Sequence, residues 1–86
     1  MRLYFTSHFR RVFKQRCRKN QKLKIKIDRQ IDLFQNNISH QSLRVHKLKG
    51  ERINESAFWI EGNLRIVFVK DKQDLILTDI ITHDEY

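Results

Sequence analysis

A chain of 86 residues has room for one domain, 1–86, with a core near the lower limit for independent stability. Eighteen Lys and Arg against ten Asp and Glu give a net charge of +8, a field that favours a polyanion: nucleic acid, an acidic protein segment or an anionic membrane surface. One cysteine, Cys17, excludes an intramolecular disulfide and fits a reducing compartment, and no apolar run approaches the ~18 residues that span a bilayer, so a soluble, cytoplasmic protein without a membrane partner is expected.

Met1 to Phe5 alternates weakly and suits a short strand with Leu3 and Phe5 facing one way. Thr6 or Ser7 supplies a capping oxygen for a helix over His8 to Lys19, where Phe9, Val12, Phe13 and Cys17 form one apolar stripe. Arg10, Arg11, Lys14 and Arg18 take the remaining face. Asn20-Gln21 breaks the pattern, and a second helix follows from Lys22 to Gln35, with Leu23, Ile27, Ile31 and Phe34 on its stripe. A short link between two such segments predicts an antiparallel helical hairpin packed on one face of a sheet, leaving the opposite face partly open. Met1 to Asn36 holds eleven basic residues and two acidic ones, a charge of +9; the remainder carries −1.

Ile38 extends the stripe of the second helix; beyond the polar loop residues Asn36-Asn37 and Ser39 to Ser42, Leu43 to Leu48 reads as a strand closed by Gly50. Three further strands follow as a meander: Ser56 to Ile60, Asn63 to Lys70 and Leu75 to Ile81. The Glu61-Gly62-Asn63 turn between the first two depends on Gly62 for positive φ. In the middle strand Leu64, Ile66 and Phe68 face one way and Arg65, Val67 and Val69 the other, so Arg65 is the single charged position in the otherwise apolar run from Leu64 to Val69. Two readings of Arg65 stand: a structural partner of Asp79 or Glu61, or a guanidinium fixed on a rigid strand to grip a phosphate bidentately. The predicted order is β-α-α-β-β-β-β, an α+β fold of two helices on a mainly antiparallel sheet.

The run His46-Lys47-Leu48-Lys49-Gly50, then Gly62-Asn63-Leu64-Arg65-Ile66-Val67-Phe68, then Ile80-Ile81-Thr82-His83-Asp84-Glu85, resembles in order and spacing the RelE/ParE superfamily of bacterial toxins. Within it the chain is most similar to the RelE/YafQ-like mRNA interferases of type II toxin–antitoxin systems, along essentially its whole length. The resemblance implies a RelE-like fold and a ribosome-dependent endoribonuclease, silenced by a cognate acidic antitoxin through which alone the complex meets operator DNA. By position it implies that His46 and His83 do acid–base work, that Arg65 contacts the scissile phosphate, and that Tyr86 orients or stacks on the RNA. Two departures stand out. Tyr86 lies three residues beyond His83 where relatives place their aromatic four beyond, and Trp59 and Asn63 occupy positions where some relatives carry a histidine and an aspartate.

The chemistry is consistent in itself. Metal-independent cleavage of RNA needs a base for the 2′-OH, a cation for the phosphorane and an acid for the leaving 5′-oxygen, and His, Arg and His supply all three. An imidazole, with a reference pKa of ~6.5, serves in either direction. His46 as base and His83 as acid is the preferred assignment, with the reverse left open. Arg10, Arg11, Lys14, Arg18, Lys22 and Lys26 are the candidate contacts to mRNA and ribosomal RNA. No H-x-x-H or H-E-x-x-H spacing points to a metal, and no cofactor motif is found. His8 and His40 read as surface residues, and Trp59 as core in preference to a base-stacking platform. Two other classes remain: a ParE-like toxin that inhibits gyrase by protein contact, and a catalytically inactive basic nucleic-acid-binding relative.

Overall fold

The computed structural model describes residues 2–82, and the order of elements is the expected one. Strand β1 (Leu3–Phe5) leads into helices α1 (Ser7–Cys17) and α2 (Gln21–Asn36), followed by strands β2 (His46–Lys47), β3 (Ser56–Glu61), β4 (Leu64–Asp71) and β5 (Asp74–Thr82). The sheet runs β1-β5-β4-β3-β2; β1 pairs with β5 in parallel and every other pairing is antiparallel.

Each helix starts where a side chain satisfies an orphan amide. The Thr6 hydroxyl accepts from the Phe9 N–H at 3.0 Å, and the Asn20 side-chain oxygen accepts from the Leu23 N–H at 3.0 Å. The helical stripes then pack on the face formed by Phe58, Ile60, Leu64, Ile66, Phe68, Leu75, Leu77 and Ile80. At the centre Phe34 of α2 stacks on Phe58 with ring centroids 4.2 Å apart and meets Phe68 edge-on at 4.7 Å. Gln30 is the buried polar residue of this layer, and its amide donates to the Trp59 carbonyl at 2.8 Å, pinning the main chain of β3 to α2.

Two expectations need correction. Leu43 to Leu48 is not a strand throughout: Gln41–Leu43 is a 3₁₀ turn, Arg44 takes a left-handed conformation at φ 50°, and only His46–Lys47 pairs with β3. The apolar residues at the two ends of that segment belong to different layers, since Leu43 joins the helix-side core and Leu48 the opposite one. A backbone reversal at Arg44 separates them. The second correction concerns the far face of the sheet, which is more covered than expected. Leu48, Ala57, Val67 and Ile81 form a small buried cluster there. The segment between β2 and β3 crosses this face, held by Arg52, whose guanidinium bonds Asp79 of β5 at 3.3 Å and lies 3.7 Å from Glu55. A bulge in β5 opposite Val67 assists, because Thr78 and Asp79 both lie beside it and Thr78 donates to the Val67 carbonyl and to Glu55.

Candidate functional site

Register alone places His46 and Arg65, two of the sequence-predicted residues, on the far face. His46 is abreast of Ala57, which is abreast of Val67; Trp59 is abreast of Arg65, which is abreast of Ile81. Residues two apart on a strand share a face, so His46, Trp59 and Arg65 lie on the same side of the sheet, opposite the helices. Arg65 and His46 are two strands apart and two residues out of step, a Cα separation of roughly 12 Å from strand spacing and rise.

Arg65 is half-buried and does not pair with Asp79, which is engaged by Arg52 and by the His8 ring at 3.1 Å. Its Nη1 donates instead to the carbonyls of Gly62 at 3.1 Å and Leu64 at 3.2 Å, while its Nε is buried without a partner. These bonds direct the guanidinium towards the β3–β4 turn, where Gly62 holds φ at 51°. His46 is exposed, and its Nδ1 lies 3.0 Å from the Arg44 carbonyl. A carbonyl can only accept, so Nδ1 is the donor in this bond. His83 and Tyr86 lie outside the described residues.

Trp59 is a half-buried aromatic rather than a core one. Strand β2 pairs only with Ser56 and Ala57, so β3 is a bare edge from Phe58 onward and the indole sits there. Its Nε1–H donates to the same Gly62 carbonyl that Arg65 uses, at 2.9 Å. The Arg44 guanidinium lies 4.6 Å from the ring centroid and the Lys26 ammonium 5.5 Å.

No family model matches the sequence and no curated protein matches it. Solved structures do. A YoeB/ParE toxin from Agrobacterium tumefaciens superposes with a TM-score of 0.77 at 19% identity, over 96% of this chain and 99% of that one. YafQ from E. coli strain BL21(DE3) gives 0.74 at 14%, over 99% and 97%. The YoeB–YefM complex from Staphylococcus aureus gives 0.75 at 18%, over 96% and 97%. The chain has the RelE/YoeB-like toxin fold.

On this RelE-like frame the six predicted basic residues separate into two groups. Arg10, Arg11, Lys14 and Arg18 line α1; Arg10 and Lys14 border an apolar cleft walled by Phe5, Phe9, Phe13 and Ile31. Lys22 and Lys26 lie one turn apart on α2, and Lys26 reaches the Trp59 ring. Only the α2 group adjoins the Arg65 face. Arg44 was missed by sequence reasoning, because nothing in LRVHKL signals a left-handed arginine or ties it to an indole fifteen residues later. His8, expected to be an ordinary surface residue, is exposed but paired with Asp79, and His40 caps the turn at Ser42. Among the described residues no group of three or more His, Cys, Asp or Glu could hold a metal ion.

Proposed function

We propose that this chain is the toxin of a toxin–antitoxin pair and that it cleaves mRNA on the ribosome by metal-independent attack of a 2′-OH. The observation that carries the reading is Arg65: a half-buried guanidinium on a strand between two other strands, with one nitrogen tethered to main-chain carbonyls and another buried without a partner. A structural arginine of this burial would be expected to meet a carboxylate. Carbonyl tethers fix the position of a cation without neutralising its charge, which is the state that stabilises a phosphorane.

In this reading His46 is the base that takes the 2′-OH proton, through the nitrogen opposite its carbonyl-bonded one. His83 is the acid that protonates the leaving 5′-oxygen, and Tyr86 orients the RNA. Support for His83 comes from the resemblance of the run Ile80-Ile81-Thr82-His83-Asp84-Glu85 to that of histidine-bearing relatives. The basic residues of α2 and α1 hold the messenger and ribosomal RNA. An acidic antitoxin is the expected protein partner, opposite the +9 half of the sequence, and carries any contact to operator DNA. The S. aureus toxin of this fold was solved with its antitoxin YefM. The setting proposed is the cytoplasm.

Purified protein with programmed ribosomes and mRNA, without antitoxin, tests the reading. New 5′-hydroxyl and 2′,3′-cyclic phosphate ends that disappear in Arg65→Ala and His83→Ala are expected. Intact mRNA together with inhibition of gyrase would replace it with the ParE-like alternative, and cleavage undiminished in Arg65→Ala would remove Arg65 from the chemistry.

A further inference from the structure

We infer that Trp59, Arg44 and Lys26 form a nucleotide subsite at the bare edge of β3, in which an unstacked RNA base lies on the indole in place of the Arg44 guanidinium. This rests on the proposed action on single-stranded mRNA and adds to it a place for the nucleotide next to the phosphate at Arg65.

The ring is held before any ligand arrives. Its Nε1–H donates to the Gly62 carbonyl, and the carbonyl of Trp59 itself accepts from the buried Gln30, so both the tilt of the indole and the backbone beneath it are set. Arg44 is held less firmly. It is exposed, and its contact with the ring is a cation–π interaction worth about 0.5–1 kcal/mol at an exposed site. Base–aromatic stacking is worth about 1–3 kcal/mol per base, so exchanging guanidinium for base is favourable. The displaced guanidinium stays charged and is carried by a left-handed residue whose backbone is pinned, through Arg44 N–H to the Gln41 carbonyl. It can then meet an adjoining phosphate, as can Lys26, which is half-buried beside the ring.

The position relative to Arg65 follows from the sheet. Trp59 and Arg65 are directly abreast, and both side chains bond the one Gly62 carbonyl. A base on the indole therefore belongs to a nucleotide adjacent to the phosphate that Arg65 would contact. Stacking is tolerant of base identity, which suits a subsite that grips the strand without selecting its sequence.

Trp59 is the single tryptophan of the chain, so intrinsic fluorescence reports on this ring alone. The full chain is titrated with a short single-stranded RNA whose riboses are 2′-O-methylated and so cannot be cleaved. Saturable quenching is expected, with little from the same sequence as a duplex. Trp59→Ala should weaken binding of a dye-labelled copy by about 5- to 150-fold, with Trp59→Phe retaining most of it. Arg44→Gly leaves the left-handed backbone unstrained, so folding is preserved. It should weaken binding and reduce the slope of log K against log salt by about 0.7, the loss of one phosphate contact to a single strand. Absence of quenching, equal quenching by duplex, equal quenching by a poly-glutamate peptide, or an Arg44→Gly protein with unchanged affinity and salt slope would each overturn the subsite. Quenching that persists in a protein unable to cleave mRNA would refute the nuclease reading and uphold the subsite; cleavage without quenching would do the reverse.

Discussion

The two faces of the sheet are held by different forces. Towards the helices the contacts are almost wholly apolar, with Ile27, Phe34, Phe58 and Ile66 fully buried. Towards the other side four apolar residues are surrounded by Arg52, Glu55, Arg65, Thr78 and Asp79, and the contacts are ion pairs and bonds to main-chain carbonyls. The first face loses free energy with every atom removed. The second can exchange partners, because each of its polar bonds has an equivalent that water, phosphate or a base can supply. Under the proposed function, stability and chemistry divide between opposite sides of a single layer.

Substitutions can break or sharpen this division. The largest expected effect pairs one change on each face. Phe34→Ala should cost about 3–5 kcal/mol in urea unfolding. Arg65→Ala should alter stability little yet reduce mRNA cleavage by about 10²–10³, the scale of losing one preorganised charge donor. If both changes unfolded the protein to the same degree, the faces would not differ in kind. Next is Gln30→Met, similar in volume but without the amide that satisfies the edge carbonyl. A loss of about 1–3 kcal/mol by chemical denaturation is expected. Asp79→Asn removes the charge that draws Arg52 and His8 together, with an expected cost of about 1 kcal/mol or less that shrinks at high salt. Hydrogen exchange in 48–55 should quicken while that of α2 does not change.

A smaller effect concerns Cys17 at the end of α1. Burial, and after it the Asp28 carboxylate, push its thiol above the ordinary value, with Lys24 opposing. The fold thus favours the neutral thiol: its contribution is fully present below the unfolded-state value and is lost as pH rises through the raised one. Alkylation in mildly alkaline buffer should be slower for folded protein than for urea-unfolded protein. Smallest is Lys72→Gly in the β4–β5 turn. Lys72 sits at φ 58°, and relieving that strain should raise stability by about 0.5–1 kcal/mol, within reach of a careful thermal melt.

The helices, β3, β4, β5 and the order of elements were legible because their signals are local: a stripe at helical spacing, alternation, and Gly62 where a turn needs it. Thr6 was one of two capping residues expected at the first helix start, and Asn20 marked the break before the second without declaring itself as a cap. Arg65 stood out as the one charge in the apolar run from Leu64 to Val69. The path between β2 and β3 was not legible, because its anchors are single long-range contacts, Leu48 under the sheet and Arg52 on Asp79, which no local pattern announces. The surroundings of Trp59 were hidden for a related reason. They come from α2, the Arg44 turn and the Gly62 carbonyl, three places whose convergence depends on β2 being too short to cover the edge of β3.

The first strand has a consequence for how the sheet closes. Leu3 pairs with Leu75, and Thr6 bonds Leu77 and Thr78, so β1 joins β5 through contacts 72 residues apart in sequence. Closing so long a loop costs conformational entropy before the pairing returns anything, so the parallel edge is expected to form after the helical hairpin and the β3–β4–β5 meander.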